Sequence, residues 1–392
     1  MKVGTLTLHS QLNYGGVLQA FALQTRLRMC GYEVKVIDRW MDASNVSLLT
    51  PLRAGSLRQR LRFVGRMFSC FGVWQRLLRS RRTMSFLADR IALTDCHFYD
   101  WREVDDRKLR LDCIIVGSDQ VWNGTTSSTV PPYLLDGAPG GLKAIAYAPS
   151  FGMSRLPPGL EDMFRKGLGR FAHLSARETS GVEILHALGY AATKVVDPVL
   201  LLSREEWVDA LSLHQPPVNR TKLFCYLMSE DLLASIETLD RWAEGNGREV
   251  DVVVDSFVLQ PFFRRGVIRK MLTYLSIGRR GRVHVHLDAG PLEFVKMLKD
   301  ARDVITDSFH AMAFSSIFDC NVRVIKPTSP WRLAMFSRIE EFSDYTGGDH
   351  ICSSLEEGLR MIVGEPKVCY NMGKMKVDAD ASLRWLKESV SE

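Results

Sequence analysis

The chain has 392 residues, a formal net charge of +6 at neutral pH, 46% hydrophobic residues and 24% charged residues. This length predicts two domains of ordinary size, and the composition excludes a disordered or fibrous protein. No run of about 18 apolar residues occurs, which argues against a helical membrane span, and the opening "MKVGTLTLHS" lacks the apolar stretch of a signal peptide. The eight cysteines form no C-x-x-C pair and no zinc-like cluster. We therefore expect a cytoplasmic protein with reduced thiols and no bound metal.

Strand and helix patterns alternate through the first half of the chain. "KVGTLTL" predicts a strand, "GGVLQAFALQTRLRMCG" a helix that ends at Gly31, and "EVKVID" a second strand. Further on, the apolar runs "LDCIIVG" and "KAIAYAPS" predict buried strands, and "TSGVEILHALG" and "DPVLLLSREEWVDAL" predict helices, the second with Ser203 and Glu206 at capping-box spacing. This order is typical of a parallel sheet covered by helices.

The second half repeats the alternation after the polar, proline-rich stretch "LHQPPVNRTK". We expect an N-terminal domain over residues 1–213, a C-terminal domain over 214–370 and a terminal helix over 371–392. Two doubly wound α/β domains that face each other are the predicted architecture. In such sheets, ligands bind at the carboxyl ends of the strands, here in the cleft between the domains.

A basic segment over residues 51–90 interrupts the first domain. No acidic residue occurs from Ala43 to Ala88, while apolar residues recur at helical spacing. The arginines between Ala43 and Ala88 are Arg53, Arg58, Arg60, Arg62, Arg66, Arg76, Arg79, Arg81 and Arg82. One interpretation is an internal helix with a solvated basic face; the other is a surface that docks on anionic lipid or a lipid-linked phosphate through residues 53–82. Nucleic acid is disfavoured because the aromatic residues follow the apolar stripe.

Two polar turns follow predicted strands of the first domain. In "HSQLNYGGVLQA" the pair Gly15 and Gly16 begins a helix, so its free N–H groups could bind an anion or the glycines could simply connect strand to helix. In "IIVGSDQVWN" the carboxylate of Asp119 could orient or deprotonate a hydroxyl, or bond its own backbone.

Two further strand ends carry cationic or protonable groups. Arg177 in "LSARETSG" suits a carboxylate or phosphate, although a pair with Glu178 or Glu183 would also satisfy it. In "DVITDSFHAMAFSSIF" the helix that starts near Ser308 points its free N–H groups into the predicted cleft, and His310 lies in its first turn. A histidine on an apolar helix is either a satisfied core residue or an acid–base catalyst.

Together these blocks resemble the polysaccharide pyruvyl transferase family. The likeness rests on "NYGGVLQAFALQ", "GSDQVWN", "SARETSGVEIL", "VVDPVLLL", "GPLEFVKMLKDARDVITDSFHAMAFSSIF", "SRIEEF" and "SLRWL", in order from about residue 5 to residue 386. The resemblance implies a GT-B-like fold of two Rossmann-type domains with the active site between them. It also implies transfer of a pyruvyl group from phosphoenolpyruvate to a sugar, or a lipid-linked oligosaccharide, as a ketal, with phosphoenolpyruvate as co-substrate and no cofactor. A peripheral location at the inner face of the plasma membrane is a separate hypothesis, which rests on the basic segment.

The resemblance also implies roles for individual residues. His310 and Asp119 would be catalytic, the C-terminal domain would bind the donor, and the N-terminal domain would bind the acceptor. The residues that would bind the donor are Arg177, Ser308, Phe309, Lys326 and Arg338. The residues that would bind the acceptor are Asn13, Tyr14, Gly15 and Gln120.

The chain departs from the family pattern at two positions. Members with assigned activity often have Arg-Leu-His where this chain has Ser308, Phe309 and His310, so Arg338 or Lys326 would have to replace one anion-binding arginine. Ala311 stands where glycine is common. Two other hypotheses stay open: a GT-B glycosyltransferase that uses a nucleotide sugar, with Glu293 as a ribose ligand, and a non-catalytic sugar-binding or scaffold protein.

Overall fold

A computed structural model of the chain describes residues 1–10, 13–40, 73–104, 109–124, 129–216, 220–228, 232–254, 281–347 and 350–392. The part of the basic segment from Arg53 to Arg66 lies outside the described residues. The helices and strands follow the predicted alternation and form two parallel sheets of six strands each.

The first sheet has the strand order β2-β1-β3-β4-β5-β6, with every pair parallel. Its strands are β1 (Lys2–Leu6), β2 (Glu33–Val36), β3 (Cys113–Val116), β4 (Lys143–Ala146), β5 (His173–Ala176) and β6 (Thr193–Lys194). The helices of this half are α1 (Tyr14–Met29), α2 (Val73–Arg90), α3 (Glu161–Leu168), α4 (Thr179–Ala187) and α5 (Arg204–Leu211). Helix α5 carries the predicted capping box of Ser203 and Glu206.

The second sheet has the order β13-β11-β10-β7-β8-β9 and is also parallel. Its strands are β7 (Leu223–Leu227), β8 (Val250–Val254), β9 (Val283–His286), β10 (Asp303–Thr306), β11 (Asn321–Ile325) and β13 (Ile351–Cys352). A small antiparallel pair joins β12 (Thr346–Gly347) to β14 (Cys369–Tyr370). The helices here are α6 (Leu232–Asn246), α7 (Pro291–Asp300), α8 (Phe309–Ile317), α9 (Pro330–Ala334), α10 (Ser337–Phe342), α11 (Leu355–Gly364) and α12 (Met372–Ser391).

Both strand orders reverse direction once, which is the mark of a doubly wound sheet. The reversal lies between β1 and β3 in the first sheet and between β7 and β10 in the second. Because helices leave on opposite sides of a reversal point, a crevice opens there at the carboxyl ends of the strands. The polar turns after β1 and β3 and the start of α8 after β10 are therefore brought to sheet edges that face each other.

The largest hydrophobic core lies between the two domains. It joins Phe21 of α1 and Trp207 of α5 to Phe294 of α7 and Phe314 of α8, all of them buried. The rings of Trp207 and Phe314 are 4.9 Å apart, edge to face. A shared core of this kind couples the stabilities of the two domains.

The final helix α12 returns to the first sheet. Leu386 and Val390 are buried against Tyr147 and its neighbours, and Ser382 Oγ accepts a hydrogen bond of 3.0 Å from the backbone N–H of Val196. The chain end thus covers the first domain, after the second domain has been completed.

Helix α2 shows how the described part of the basic segment is used. Arg79 is buried, stacks 4.3 Å above the ring of Tyr14 and donates a 2.8 Å hydrogen bond to the carbonyl of Val254. Arg82 donates to the carboxylate of Asp288 at 2.9 Å. Over residues 73–90 the segment is an internal helix. Arg81 and Arg82 are exposed, as the predicted solvated basic face requires, but Arg79 is buried against the second domain.

Candidate functional site

Helix α1 and helix α8 meet at their first turns, one from each domain. Gly15 lies so close to His310 that a Cβ atom added to Gly15 would collide with the imidazole ring. The neighbouring Gly16 faces the carbonyl of Leu8 and the carboxylate of Asp119. The two glycines therefore allow a close backbone approach that places both predicted catalytic side chains in one cleft.

Asp197 is the central carboxylate of this cleft. It follows β6 and is fully buried, and its Oδ2 atom accepts hydrogen bonds from Arg177 Nη1 at 2.7 Å and Ser118 Oγ at 3.2 Å. Its Oδ1 atom accepts from the backbone N–H of Val199 at 3.0 Å. The Nε2 atom of His310 lies 3.7 Å from Oδ2. Asp197 is thus the anion on which the arginine of one domain and the histidine of the other depend.

Two guanidinium groups lie near the ring of Phe309. Arg177 lies 4.8 Å from the centre of the Phe309 ring and Arg338 lies 5.9 Å from it. Arg177 also donates Nε–H to Glu178 at 2.8 Å, so the alternative of a pair with Glu178 is realised alongside the bond to Asp197. Gln120, with its amide oxygen turned toward Arg338, accepts from Nη1 at 2.8 Å. Arg338, from α10, therefore stands beside Arg177 in the cleft.

Three buried nitrogen atoms of the cleft have no hydrogen-bond partner among the described residues. They are Nη2 of Arg177, Nε2 of His310 and Nε of Arg338. A buried donor without a partner costs on the order of 1–3 kcal/mol. Orphaned nitrogens that converge from two domains in this way are typical of a site that awaits an anionic or polar ligand.

Electrostatics set the protonation states of the cleft. Burial lowers the pKa of His310 below its ordinary value, and the charges of Arg177 and Arg338 act in the same direction, while Asp197 and Asp119 oppose them. Burial alone would raise the pKa of Asp197, but His310 and Arg177 bring it below its usual range. We conclude that His310 is neutral and Asp197 ionised near pH 7 in the unliganded protein.

The arginines remain cations. Burial, with the neighbouring charge of Arg177, lowers the pKa of Arg338 to about 10. Burial also opposes the charge of Arg177, but the carboxylates of Glu178, Asp197 and Asp119 raise its pKa above the ordinary value. Both guanidinium groups are therefore available for an anion at neutral pH.

A cavity of about 340 Å³ extends from this cluster toward the C-terminal helix. At its inner end lie Arg177, Phe309 and Arg338, and at its outer end lie Tyr345 and Trp385. It has room for a small donor and part of a sugar, with aromatic walls at the end away from the arginines.

The remaining predicted residues are placed as follows. Ser308 is buried at the start of α8, and its backbone N–H donates to Thr306 Oγ1 at 3.1 Å. Asn13 caps α1 by accepting from the N–H of Gly15 at 2.9 Å. Tyr14 is buried, donates to the carbonyl of Ala289 at 2.7 Å and stacks on Phe294. Asn13, Tyr14 and Gly15 therefore shape the cleft through backbone and packing contacts.

Lys326 is not part of the orphaned cluster. It is half exposed and its Nζ lies 2.9 Å from Glu340. Asp197 is the residue that the sequence analysis missed, although the block "VVDPVLLL" contains it. The sequence did contain a signal for Asp197. It follows the predicted strand "TKVV" and precedes a proline, which places it where the strand ends, at the carboxyl edge of the sheet.

Comparison with known protein families identifies the family of the chain. A sequence profile of the polysaccharide pyruvyl transferases matches residues 13–329, which is most of the chain. The chain belongs to the polysaccharide pyruvyl transferase family. Transferase activity in the broad sense follows from this membership, and the recognition made from the sequence blocks is confirmed.

Solved structures confirm the fold of this pyruvyl transferase family member. UDP-GlcNAc 2-epimerase from Methanocaldococcus jannaschii is 10% identical, with a TM-score of 0.53 over 99% of this chain and 100% of the other. The same enzyme in complex with UDP-GlcNAc and UDP is 11% identical, with a TM-score of 0.51 over 99% and 100%. These similarities show the GT-B-like fold alone. No curated protein matches the chain significantly in sequence.

The described part of the chain has neither a candidate metal site nor a candidate membrane-spanning helix. Its His, Cys, Asp and Glu side chains form no group of three that could hold a metal ion. None of its described helices combines the length and apolarity needed to cross a bilayer.

Proposed function

We propose that this protein transfers a pyruvyl group from phosphoenolpyruvate to two hydroxyl groups of a sugar, forming a cyclic ketal in polysaccharide biosynthesis. The observation that carries the proposal is the convergence of Arg177, Arg338 and His310 in one cleft, each with a buried nitrogen that has no hydrogen-bond partner in the described part of the chain. Phosphoenolpyruvate offers a carboxylate and a phosphate, which are the groups that guanidinium forks bind best.

The proposed reaction has two steps with balanced atoms. A first sugar hydroxyl adds to C2 of the donor while C3 takes a proton and becomes a methyl group. The second hydroxyl then displaces phosphate from C2, which closes the ketal. The two sugar hydroxyls lose two protons. One restores the acid that gave its proton to C3, and the other leaves with phosphate.

Within this scheme His310 is the acid for C3. It is neutral in the unliganded protein, and a multiply charged donor beside it would raise its pKa and bring a proton with it. Asp119, in the same cleft, is the candidate base for the sugar hydroxyl. Positioned acid–base groups of this type contribute about 10²–10⁴-fold to a rate. Arg177 and Arg338 neutralise the developing phosphate charge, so the scheme requires no cofactor.

The arrangement also bears on the missing family arginine. Ser308 stands at that position, while Arg338 reaches the same cluster from α10 and faces Phe309. Arg338 is therefore the better substitute, because Lys326 is engaged with Glu340.

The nucleotide-sugar hypothesis has less support from this geometry. Glu293, its expected ribose ligand, accepts from the backbone N–H of Gly290 at 2.9 Å and lies 3.6 Å from Arg82. At the crevice of the second sheet, the carboxylate of Asp307 accepts from the N–H of Met228 at 2.8 Å and lies 3.6 Å from Arg332, so it is engaged within the second domain.

Calorimetric titration of phosphoenolpyruvate into the protein tests the proposal, with UDP, GDP and UDP-GlcNAc as competitors. Binding that nucleotides do not displace, and that Arg177→Lys weakens, supports the pyruvyl donor. Nucleotide binding without phosphoenolpyruvate binding would replace the proposal with a glycosyltransferase. Binding of neither, with or without candidate sugars, would favour the non-catalytic hypothesis.

We further propose a cytoplasmic site of action, because phosphoenolpyruvate is a cytoplasmic metabolite. For the hypothesis of an anionic membrane surface, Arg81 and Arg82 stay exposed among the described residues and could contribute, whereas Arg79 is buried and cannot. Flotation with anionic vesicles at low salt tests it, and a protein that never floats would reject it.

A further inference from the structure

At the edge of the cleft, a carboxylate from one domain lies on the N-terminus of a helix from the other. Glu341 of α10 accepts from the backbone N–H of Thr179 at 3.0 Å and from its hydroxyl at 3.1 Å. Lys194 of β6 places Nζ 2.6 Å from the same side chain. A backbone N–H, a hydroxyl and an ammonium around one carboxylate are the donor set of an oxyanion site.

The first turn of α4 has no acidic cap of its own. Glu178, the residue before the helix, makes no capping hydrogen bond and directs its carboxylate to Arg177. The positive end of the α4 dipole is therefore satisfied from the second domain. The N-terminus of α4 therefore favours a negatively charged group at the edge of the cleft.

A second observation points to a ligand at the same place. Glu341 and Lys194 line the 340 Å³ cavity whose inner end holds Arg177 and Arg338. Arg177 is 5% exposed and its Nη2 has no partner among the described residues. The cavity therefore contains, among the described residues, both the unpartnered Nη2 atom of Arg177 and an oxyanion position that the carboxylate of Glu341 already fills.

We propose that Thr179 and Lys194 form a phosphate site, which Glu341 fills in this structure and which inorganic phosphate, the leaving group, takes during turnover. The leaving-group assignment rests on the proposed function. The exchange is feasible because Lys194 is half exposed and Glu341 one-quarter exposed, and solvated ion pairs are weak. Phosphate in this position would share the cavity with Arg177 but lie closer to solvent, because Lys194 and Glu341 are more exposed than Arg177.

The exchange would also remove one link between the domains. Glu341 joins α10 to α4, and Arg338 lies one turn earlier on α10. When phosphate displaces the carboxylate, this link is lost, while Arg338 keeps its contact with Gln120 and the shared core keeps the two domains together.

Removal of the resident carboxylate tests this site directly. We expect Glu341→Ala to tighten the binding of inorganic phosphate about three- to thirtyfold at constant ionic strength, by calorimetry, because the competing anion is gone. Glu341→Gln should give a smaller gain. Glu340→Ala, one residue earlier on the same helix, is the matched control and should leave phosphate affinity unchanged, since Glu340 pairs with Lys326. Lys194→Met combined with Glu341→Ala should cancel the gain.

Two results would overturn the proposal. If Glu341→Ala lowers the melting temperature but leaves phosphate affinity unchanged, the carboxylate only caps the helix. If it tightens phosphoenolpyruvate binding but not phosphate binding, the position belongs to the donor and not to the leaving group. Because phosphate binding is measured without any transfer reaction, the phosphate arm decides the site even if pyruvyl transfer itself is disproved.

Discussion

The Nε2 atom of His310, from the second domain, lies 3.7 Å from the Oδ2 atom of Asp197, from the first. The same oxygen accepts from Arg177 Nη1 at 2.7 Å. One buried carboxylate therefore favours the protonated form of the candidate acid, against the effect of burial, and holds the candidate donor clamp. In the proposed reaction Asp197 is a positioning residue, which acts through its neighbours.

Asp197→Asn keeps the shape of the side chain and removes its charge. We expect the pKa of His310 to fall further, because Asp197 is the largest influence that raises it. We also expect a loss of about 3–5 kcal/mol in unfolding free energy, as for other broken buried pairs. NMR titration of the imidazole and urea unfolding measure the two effects. Glu178→Gln is the control, since Glu178 also contacts Arg177 but its substitution should leave the pKa of His310 unchanged. If His310 titrates at the same pH in the wild type and in Asp197→Asn, the coupling is refuted.

Arg338→Gln tests the substitute for the missing family arginine. Arg338 has no carboxylate salt bridge among the described residues, so the substitution should change the free energy of unfolding little. It should weaken phosphoenolpyruvate binding about tenfold or more, because that is the loss expected when one hydrogen bond to a charged group is removed. Lys326→Met should leave donor binding unchanged, because Lys326 pairs with Glu340. Calorimetry on both variants separates the two predictions, and the reverse order of effects would restore Lys326 to the donor site.

Gly15→Ala should impair catalytic activity more than it lowers the free energy of unfolding. The new methyl group would strike the His310 ring and displace it from Asp197, so we expect kcat to fall about 10²-fold or more, as misplacement of catalytic groups does. The control is Gly245→Ala in α6, where nothing lies within 4 Å of the added atom. That variant should be neutral or slightly stabilised. Wild-type activity in Gly15→Ala would show that the ring position does not matter.

Acid should destabilise the protein through His310. Because the folded-state pKa of His310 is lowered, the unfolded chain takes up the proton first. The stability that the neutral ring provides is present above its ordinary pKa, about 6.5, and is lost as the pH falls through the lower folded value. Urea unfolding at pH 7 and pH 5 should show a steeper loss in wild type than in His310→Gln. A parallel loss in both would assign the acid sensitivity to other groups.

Donor binding should be accompanied by proton uptake. A neutral His310 beside a multiply charged donor gains a proton, since the added negative charge raises its pKa. Calorimetry at pH 7 in buffers of different ionisation enthalpy should show this uptake in wild type and its absence in His310→Gln. Equal proton release or uptake in both proteins would remove His310 from the role of acid.

The alternation of elements could be predicted from the sequence for a local reason. Strands β3 and β7 are buried along their whole length and their sequences are continuous apolar runs. Helices such as α5 carry their capping residues beside them in the chain. The family blocks lie on the same local patterns. The basic segment was only partly interpretable, because helical spacing cannot tell whether Arg79 meets water or a second domain.

The sequence by itself determined the two doubly wound domains, the family and the candidate residues at strand ends, because periodicity, caps and turn residues act between near neighbours. Only the tertiary structure decided which of those residues share a site. Asp197 joins Arg177 to His310, Arg338 lies in the cleft while Lys326 does not, and Tyr14 packs against Phe294. These contacts depend on how two sheets face each other across a common core, which is long-range packing that no local pattern records.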